Sequence, residues 1–190
     1  TSEDEDLGRV KILLDPKRNV LYCANSGRPF SEAGLRAVSM AHLSGKRGDE
    51  IGRFGLGFKS VLAVSSHPQI FSRSVSFEFN SLQAQERLRA VKDAPRLPVL
   101  RTPVLIDAQR EAEQDSHLAD MMAWASTVVK LPGARNIPHI RHEIENFAAE
   151  FLLFVPGVRE LRLRIIGGSA YDERFATRPT GTGRYALGTE

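Results

Sequence analysis

The chain of 190 residues holds a single cysteine, Cys23. One thiol cannot build a disulfide framework, and its place inside the apolar run "VLYCA" suits a reducing compartment. Long apolar stretches are also missing: none approaches the roughly 20 residues that cross a bilayer, so no membrane partner is expected. The opening "TSEDEDLG" is acidic and polar, unlike a signal peptide. An excess of one charge is lacking too. The 26 basic and 23 acidic residues leave a net +3, dispersed along the chain. No nucleic-acid partner is evident from such a balance. Internal repeats and low-complexity tracts are absent. A cytoplasmic location is expected, and the length suits one domain with a real core.

What the sequence does hold is a series of short apolar runs. "VKILLD" and "NVLYCA", split by "PKR", read as two strands joined by a turn. Ser31 and Glu32 open a helical pattern through Leu35, Val38 and Leu43, with Ser31 as N-cap. Phe58 to Val64 has no breaker and suits a helix. "VSFEF" alternates as a strand with Val75, Phe77 and Phe79 on one face. "SLQAQERLRAVKD" is an amphipathic helix, and "PVLRTPVLID" a Pro-interrupted edge strand. "SHLADMMAWA" gives a short helix and "STVVKLP" a strand. "IRHEIENFAAEFLLFV" reads as the longest helix, with Ile140, Ile144, Phe147 and Phe151 on one face. "VRELRLRII" returns as a strand with Leu161, Leu163 and Ile165 inward, leaving Arg162 and Arg164 on its wet side. The closing "TRPTGTGRYALGTE" is turn-rich. The expected class is α+β: a two-layer α/β sandwich, with helices over one face of a mixed sheet.

His139 and His142 sit three apart on a predicted helix, but no carboxylate or cysteine set completes a metal site, so none is expected. "IGRFGLGFKS" at residues 51–60 is more informative, with glycines at 52, 55 and 57. It is not a P-loop: Lys46 follows Gly45, but Arg47 stands where Ser or Thr is required. Nor is it the dinucleotide fingerprint, because the order is G-x-x-G-x-G and no strand precedes it. Glycines let a backbone come close to a ligand, and amides opening the following helix are unpaired donors suited to an anion. On that ground a phosphate turn and a plain surface loop both remain open.

The order "YCANSGRPFS", a helix, a polar loop and then "IGRFGLGFKSV" resembles the GHKL ATPase superfamily, and within it the sacsin-type branch. The resemblance runs from about Val10 to Ile166. It implies a Bergerat fold with a mixed, mostly antiparallel sheet, lacking its first helix here. It also implies ATP as ligand. Asn25 stands at the family's adenine-binding acid, a position where sacsin-type sequences often carry Asn, and Gly27 at the following glycine. Pro29 replaces the second glycine of that motif. Residues 43–51 match the lid, with Lys46 near the phosphates. Gly52, Phe54, Gly55, Leu56, Gly57, Phe58 and Lys59 match the phosphate cradle, and Thr127 the family's threonine beside adenine. The family's catalytic Glu and magnesium-binding Asn lie on a helix that has no counterpart upstream of Val10. Mg2+ and hydrolysis are therefore expected of an intact longer protein, and no catalytic or metal-binding residue is assigned here. The expected organisation is an acidic linker at 1–9, the ATP-binding domain at 10–166, and a turn-rich segment at 167–190 opening a following region. Protein clients are expected partners through the rest of the polypeptide. The alternatives are a non-catalytic nucleotide-sensing or protein-interaction module, and a histidine-kinase-like catalytic domain.

Overall fold

The computed structural model describes residues 8–31, 34–36, 60–80, 82–83, 86, 103–155, 157–181 and 184–189. It begins with a hairpin. Strand β1 (Arg9–Asp15) pairs antiparallel with β2 (Val20–Asn25), Asp15 opposite Val20. The turn follows from "DPKRN". The Asp15 carboxylate accepts from the amides of Lys17 at 3.0 Å and Arg18 at 3.1 Å, and Asn19 takes a left-handed φ of 52°. Asn tolerates that conformation better than most residues.

A short helix α1 (Val61–Val64) follows, then β3 (Gln69–Ser72) and β4 (Ser76–Phe79) as a second hairpin. Strand β5 (Pro103–Leu105) lies at the sheet edge, where a proline costs no ladder bond. Helices α2 (Ala108–Glu113) and α3 (Ser116–Met122) come next, capped by Asp107 and Asp115 accepting from first-turn amides. Then follow β6 (Thr127–Pro132), α4 (Ile137–Glu145), a 3-10 helix (Ala149–Phe154), β7 (Glu160–Ile165), β8 (Tyr171–Gly181) and β9 (Arg184–Thr189).

The nine strands among the described residues form one sheet in the order β5-β4-β3-β6-β2-β1-β7-β8-β9. Its pairings are antiparallel apart from β1 with β7, which run parallel. The class is thus α+β with a mixed, mostly antiparallel sheet. Alternation along each strand sends side chains to two faces. On one face Leu14, Leu161, Leu163, Ile165 and Phe175 pack with Ile144 of α4 and Leu152 of the 3-10 helix. Further along that face Ile70, Phe77 and Phe79 pack with Phe30, Leu35 and Leu62. Part of the opposite face is covered as well: Leu13, Tyr22, Ala24, Phe71 and Val128 lie under Leu118 and Met121 of α3.

Three segments differ from their sequence reading. "QIFS", unassigned above, is β3. The long helix expected over 140–155 is broken, because the Asn146 side-chain amide bonds the His142 carbonyl at 2.9 Å and caps α4. The chain then re-forms as a 3-10 helix, which leaves Phe151 58% exposed while Phe147 joins the core. The turn-rich closing segment supplies β8 and β9, and β8 sends Phe175 into the core.

Candidate functional site

Asn25 ends β2 and Thr127 begins β6, and the antiparallel register sets them directly opposite each other. On the far side of β6, Ser72 of β3 is opposite Thr127. Asn25, Thr127 and Ser72 therefore form one lateral row across three adjacent strands. Alternation puts the row on the face that carries Ile70 and Val129, where it is a polar margin to an apolar surface.

The row is tied together by short-range bonds. The Ser126 amide donates to the Asn25 carbonyl at 2.8 Å. Thr127 is buried, and its hydroxyl donates to Ser72 Oγ at 3.3 Å. Ser72 Oγ in turn donates to the Ser126 carbonyl at 3.2 Å and accepts from the Phe30 amide at 2.9 Å. The Ser74 hydroxyl bonds the Phe30 carbonyl. These two serines fasten the segment leaving β2 to the β3–β4 hairpin, and the Phe30 ring packs edge-on against Phe77 at 5.7 Å. Beside the row, buried Ser26 accepts from the Arg9 amide at 3.0 Å and fixes the start of β1.

Two features leave the row open to a ligand. Asn25 is exposed at the strand end, so its amide offers one acceptor and two donors. A Cβ added at Gly27 meets nothing within 4 Å, so internal packing does not require glycine there. The set fits the edge of a purine: an amide carbonyl to accept from an exocyclic amine, a hydroxyl beside it, and a side-chain-free backbone next to both. Asn25, Gly27 and Thr127 are thus brought together. Lys46, Gly52, Phe54, Gly55, Leu56, Gly57, Phe58 and Lys59 lie outside the described residues, as does the 43–51 lid.

Ser72 was not found from sequence. The signal was the pair Ile70–Phe71 between Pro68 and the "SRS" turn, which marks a hairpin with the "VSFEF" strand. The two histidines of α4 point to no site: His139 faces Glu143 at 3.8 Å, and the His142 ring meets the Asn146 amide at 3.1 Å. Among the described residues no group of three His, Cys, Asp or Glu side chains is placed to hold a metal ion. None of the helices described is long and apolar enough to cross a membrane.

On the opposite face lies a second polar group, enclosed by α3. Asp115, only 2% exposed, accepts from the Tyr22 hydroxyl at 2.8 Å and the Leu118 amide at 3.2 Å, and meets Lys130 Nζ at 3.0 Å. Burial pushes its carboxyl up, but the Tyr22, Lys130 and Leu118 bonds outweigh that and hold it below the usual carboxylate value. Burial, then the hydroxyl's bond to Asp115, pushes the Tyr22 phenol well above its ordinary value.

No family model matches the chain, and no curated protein matches it. Among solved structures it is similar to the crystal structure of the N-terminal domain of a DNA repair protein, with TM-score 0.40 and 10% identity. That alignment covers 89% of this chain and 46% of the other, so the chain spans about half the length of the structure it resembles.

Proposed function

We propose that this chain is a nucleotide-binding domain of the GHKL type, similar to the sacsin branch, with ATP as its ligand. The observation that supports this reading is the Asn25–Thr127–Ser72 row. Two residues that the sequence resemblance assigns to adenine, Asn25 and Thr127, are far apart in sequence yet register partners on adjoining strands. Asn25 accepts from the adenine amine, and Thr127, oriented by Ser72, holds the ring edge. Gly27 leaves room for the base. The phosphates are assigned to the backbone amides of residues 52–58, with Lys46 and Lys59 as cationic partners. ATP bound there would supply the phosphoanhydride group; the chain's own contribution is to bind and orient it.

The row itself consists of neutral side chains. That favours, as a second reading, a module that binds nucleotide without hydrolysing it unless further residues bring a general base and Mg2+.

Titration with a fluorescent ATP analogue tests the assignment. Asn25→Ala and Thr127→Val each remove a hydrogen-bonding group, worth about 1 kcal/mol net. Each should weaken binding by about five- to tenfold, and Gly55→Val should weaken it at least as much by crowding the cradle. Unchanged affinity in all three variants would overturn the site.

A further inference from the structure

The stretch between α3 and β6 carries the chain from one face of the sheet to the other. Trp124, the single tryptophan of the chain, is partly buried on the face that α3 covers, against the cluster of Leu13, Tyr22 and Met121. Three residues later Thr127 points to the opposite face, into the row it forms with Asn25 and Ser72. The Arg9 guanidinium lies over the Trp124 ring, 4.4 Å from its centroid. Arg9 begins β1 and alternates onto the same face as Leu13, so this stack stands on the side of the sheet away from the row.

Both partners of the stack are tied to the row by backbone bonds. On the arginine side, the Arg9 amide donates to Ser26 Oγ at 3.0 Å, and the Ser26 amide donates to the Arg9 carbonyl at 3.0 Å, one residue after Asn25. On the tryptophan side, Arg73 holds the crossing twice. Its Nη2 donates to the Trp124 carbonyl at 3.1 Å, and its amide to the Ser126 carbonyl at 3.1 Å. The same Ser126 carbonyl accepts from Ser72 Oγ, and the Ser126 amide donates to the Asn25 carbonyl. The amides of Trp124 and Ala125 both donate to the Met121 carbonyl, at 3.2 and 2.9 Å, so the crossing has little slack.

We infer that the Arg9–Trp124 stack is a positioning element for the nucleotide site, acting through the sheet from its rear face. The inference rests on the nucleotide reading of the row given above. A cation over an indole face is attracted by the ring, which holds both groups in one geometry. Here the attraction joins the entry of β1 to the exit from α3, and so sets Asn25 and Thr127 side by side at their strand ends. Such coupling is reciprocal: a stack that sets the row is itself altered by a ligand on the row. Trp124 therefore reports occupancy without touching the ligand. By the same linkage, anything that draws Arg9 off the ring weakens nucleotide binding, which makes the stack a control point at the start of β1.

Two readouts on the full chain test this. ATP added to the parent chain should shift the emission of Trp124, and Asn25→Ala should move that shift to higher ATP concentration. This readout needs no change at the stack itself. Affinity for the fluorescent ATP analogue should fall about two- to fivefold in Arg9→Gln and recover in Arg9→Lys, which restores a cation over the ring. Glu160→Gln removes the carboxylate 3.7 Å from Arg9 but leaves the stack, and should bind like the parent. Trp124→Leu should weaken binding as Arg9→Gln does, and adding Arg9→Gln to it should weaken binding no further. Melting curves establish that each variant is folded at the assay temperature. Analogue binding without a change in Trp124 emission overturns the positioning role and leaves the nucleotide reading standing, as does Arg9→Gln binding like the parent or Glu160→Gln binding as weakly as Arg9→Gln. Absence of analogue binding by the parent chain overturns both.

Discussion

Asp115 ties the start of α3 to β2 and β6 through one carboxylate. Removing its carboxylate leaves Lys130, 12% exposed, with its longer contact to Glu111 at 3.6 Å in place of the 3.0 Å pair, and Tyr22 without an acceptor. Breaking a buried pair in this way costs about 3–5 kcal/mol, so Asp115→Ala should melt far below the parent chain. The pH dependence has two ends. Asp115 is held below its unfolded value, so its contribution is complete above about pH 4 and is lost as pH falls through the folded value. Tyr22 is raised, so its contribution is complete below about pH 10 and declines once the unfolded chain ionises. Melting temperature against pH should fall less steeply on the acid side for Asp115→Asn than for the parent chain, and less on the alkaline side for Tyr22→Phe. Equal slopes in parent and variants would show that other groups control both limits.

At the scale of elements, the stretch from α4 through the 3-10 helix separates pattern from packing. Leu152 is 4% exposed and Phe154 is 78% exposed, although both belong to one apolar run. Leu152→Ala should cost about 2–5 kcal/mol, whereas Phe154→Ser should stay within about 0.5 kcal/mol; chemical denaturation of the two variants checks this. "FAAEFLLF" is apolar nearly all round, so it has no period from which a buried face can be read. The Asn146 cap is a local competitor that periodicity does not register. Strands with clear alternation, such as "ELRLRI" and "SFEF", were legible, since half-buried strands must alternate. β3 was too short to show a period, and β8–β9 carry the Thr, Gly and Pro of a turn-rich tract yet pair because β7 offers them an edge.

For the whole molecule, charge is dispersed along the sequence, yet the sheet gathers Lys11, Arg162 and Arg174 from distant segments into one row. Net charge is legible in a sequence, but a patch is a property of register. The candidate nucleotide site was legible in part: Asn25, Gly27 and Thr127 came from motif order, while Ser72 depended on a pairing no local pattern announced. The charge row also has a measurable consequence for stability. Lys11 is held below its unfolded value, so its charge opposes folding at neutral pH, and stability should rise as pH climbs toward the unfolded lysine value. Lys11→Gln should therefore keep or raise the melting temperature, by up to about 2 °C. A lower melting temperature in that variant would mean that the lysine stem is needed for packing.

The parallel pairing of β1 with β7 also dictates an order of assembly. Residue 9 meets residue 160, so an interior strand of the sheet keeps one open edge until about 150 further residues have been made. The β1–β2 hairpin forms by local contacts, but the cluster around Leu14 stays incomplete until Leu161, Leu163 and Ile165 arrive. Such distant closure makes folding slow and leaves β1 exposed to mispairing in the meantime. During synthesis the sheet therefore stays unfinished from the emergence of β1 until β7 emerges, and its vulnerability to aggregation is concentrated in that interval.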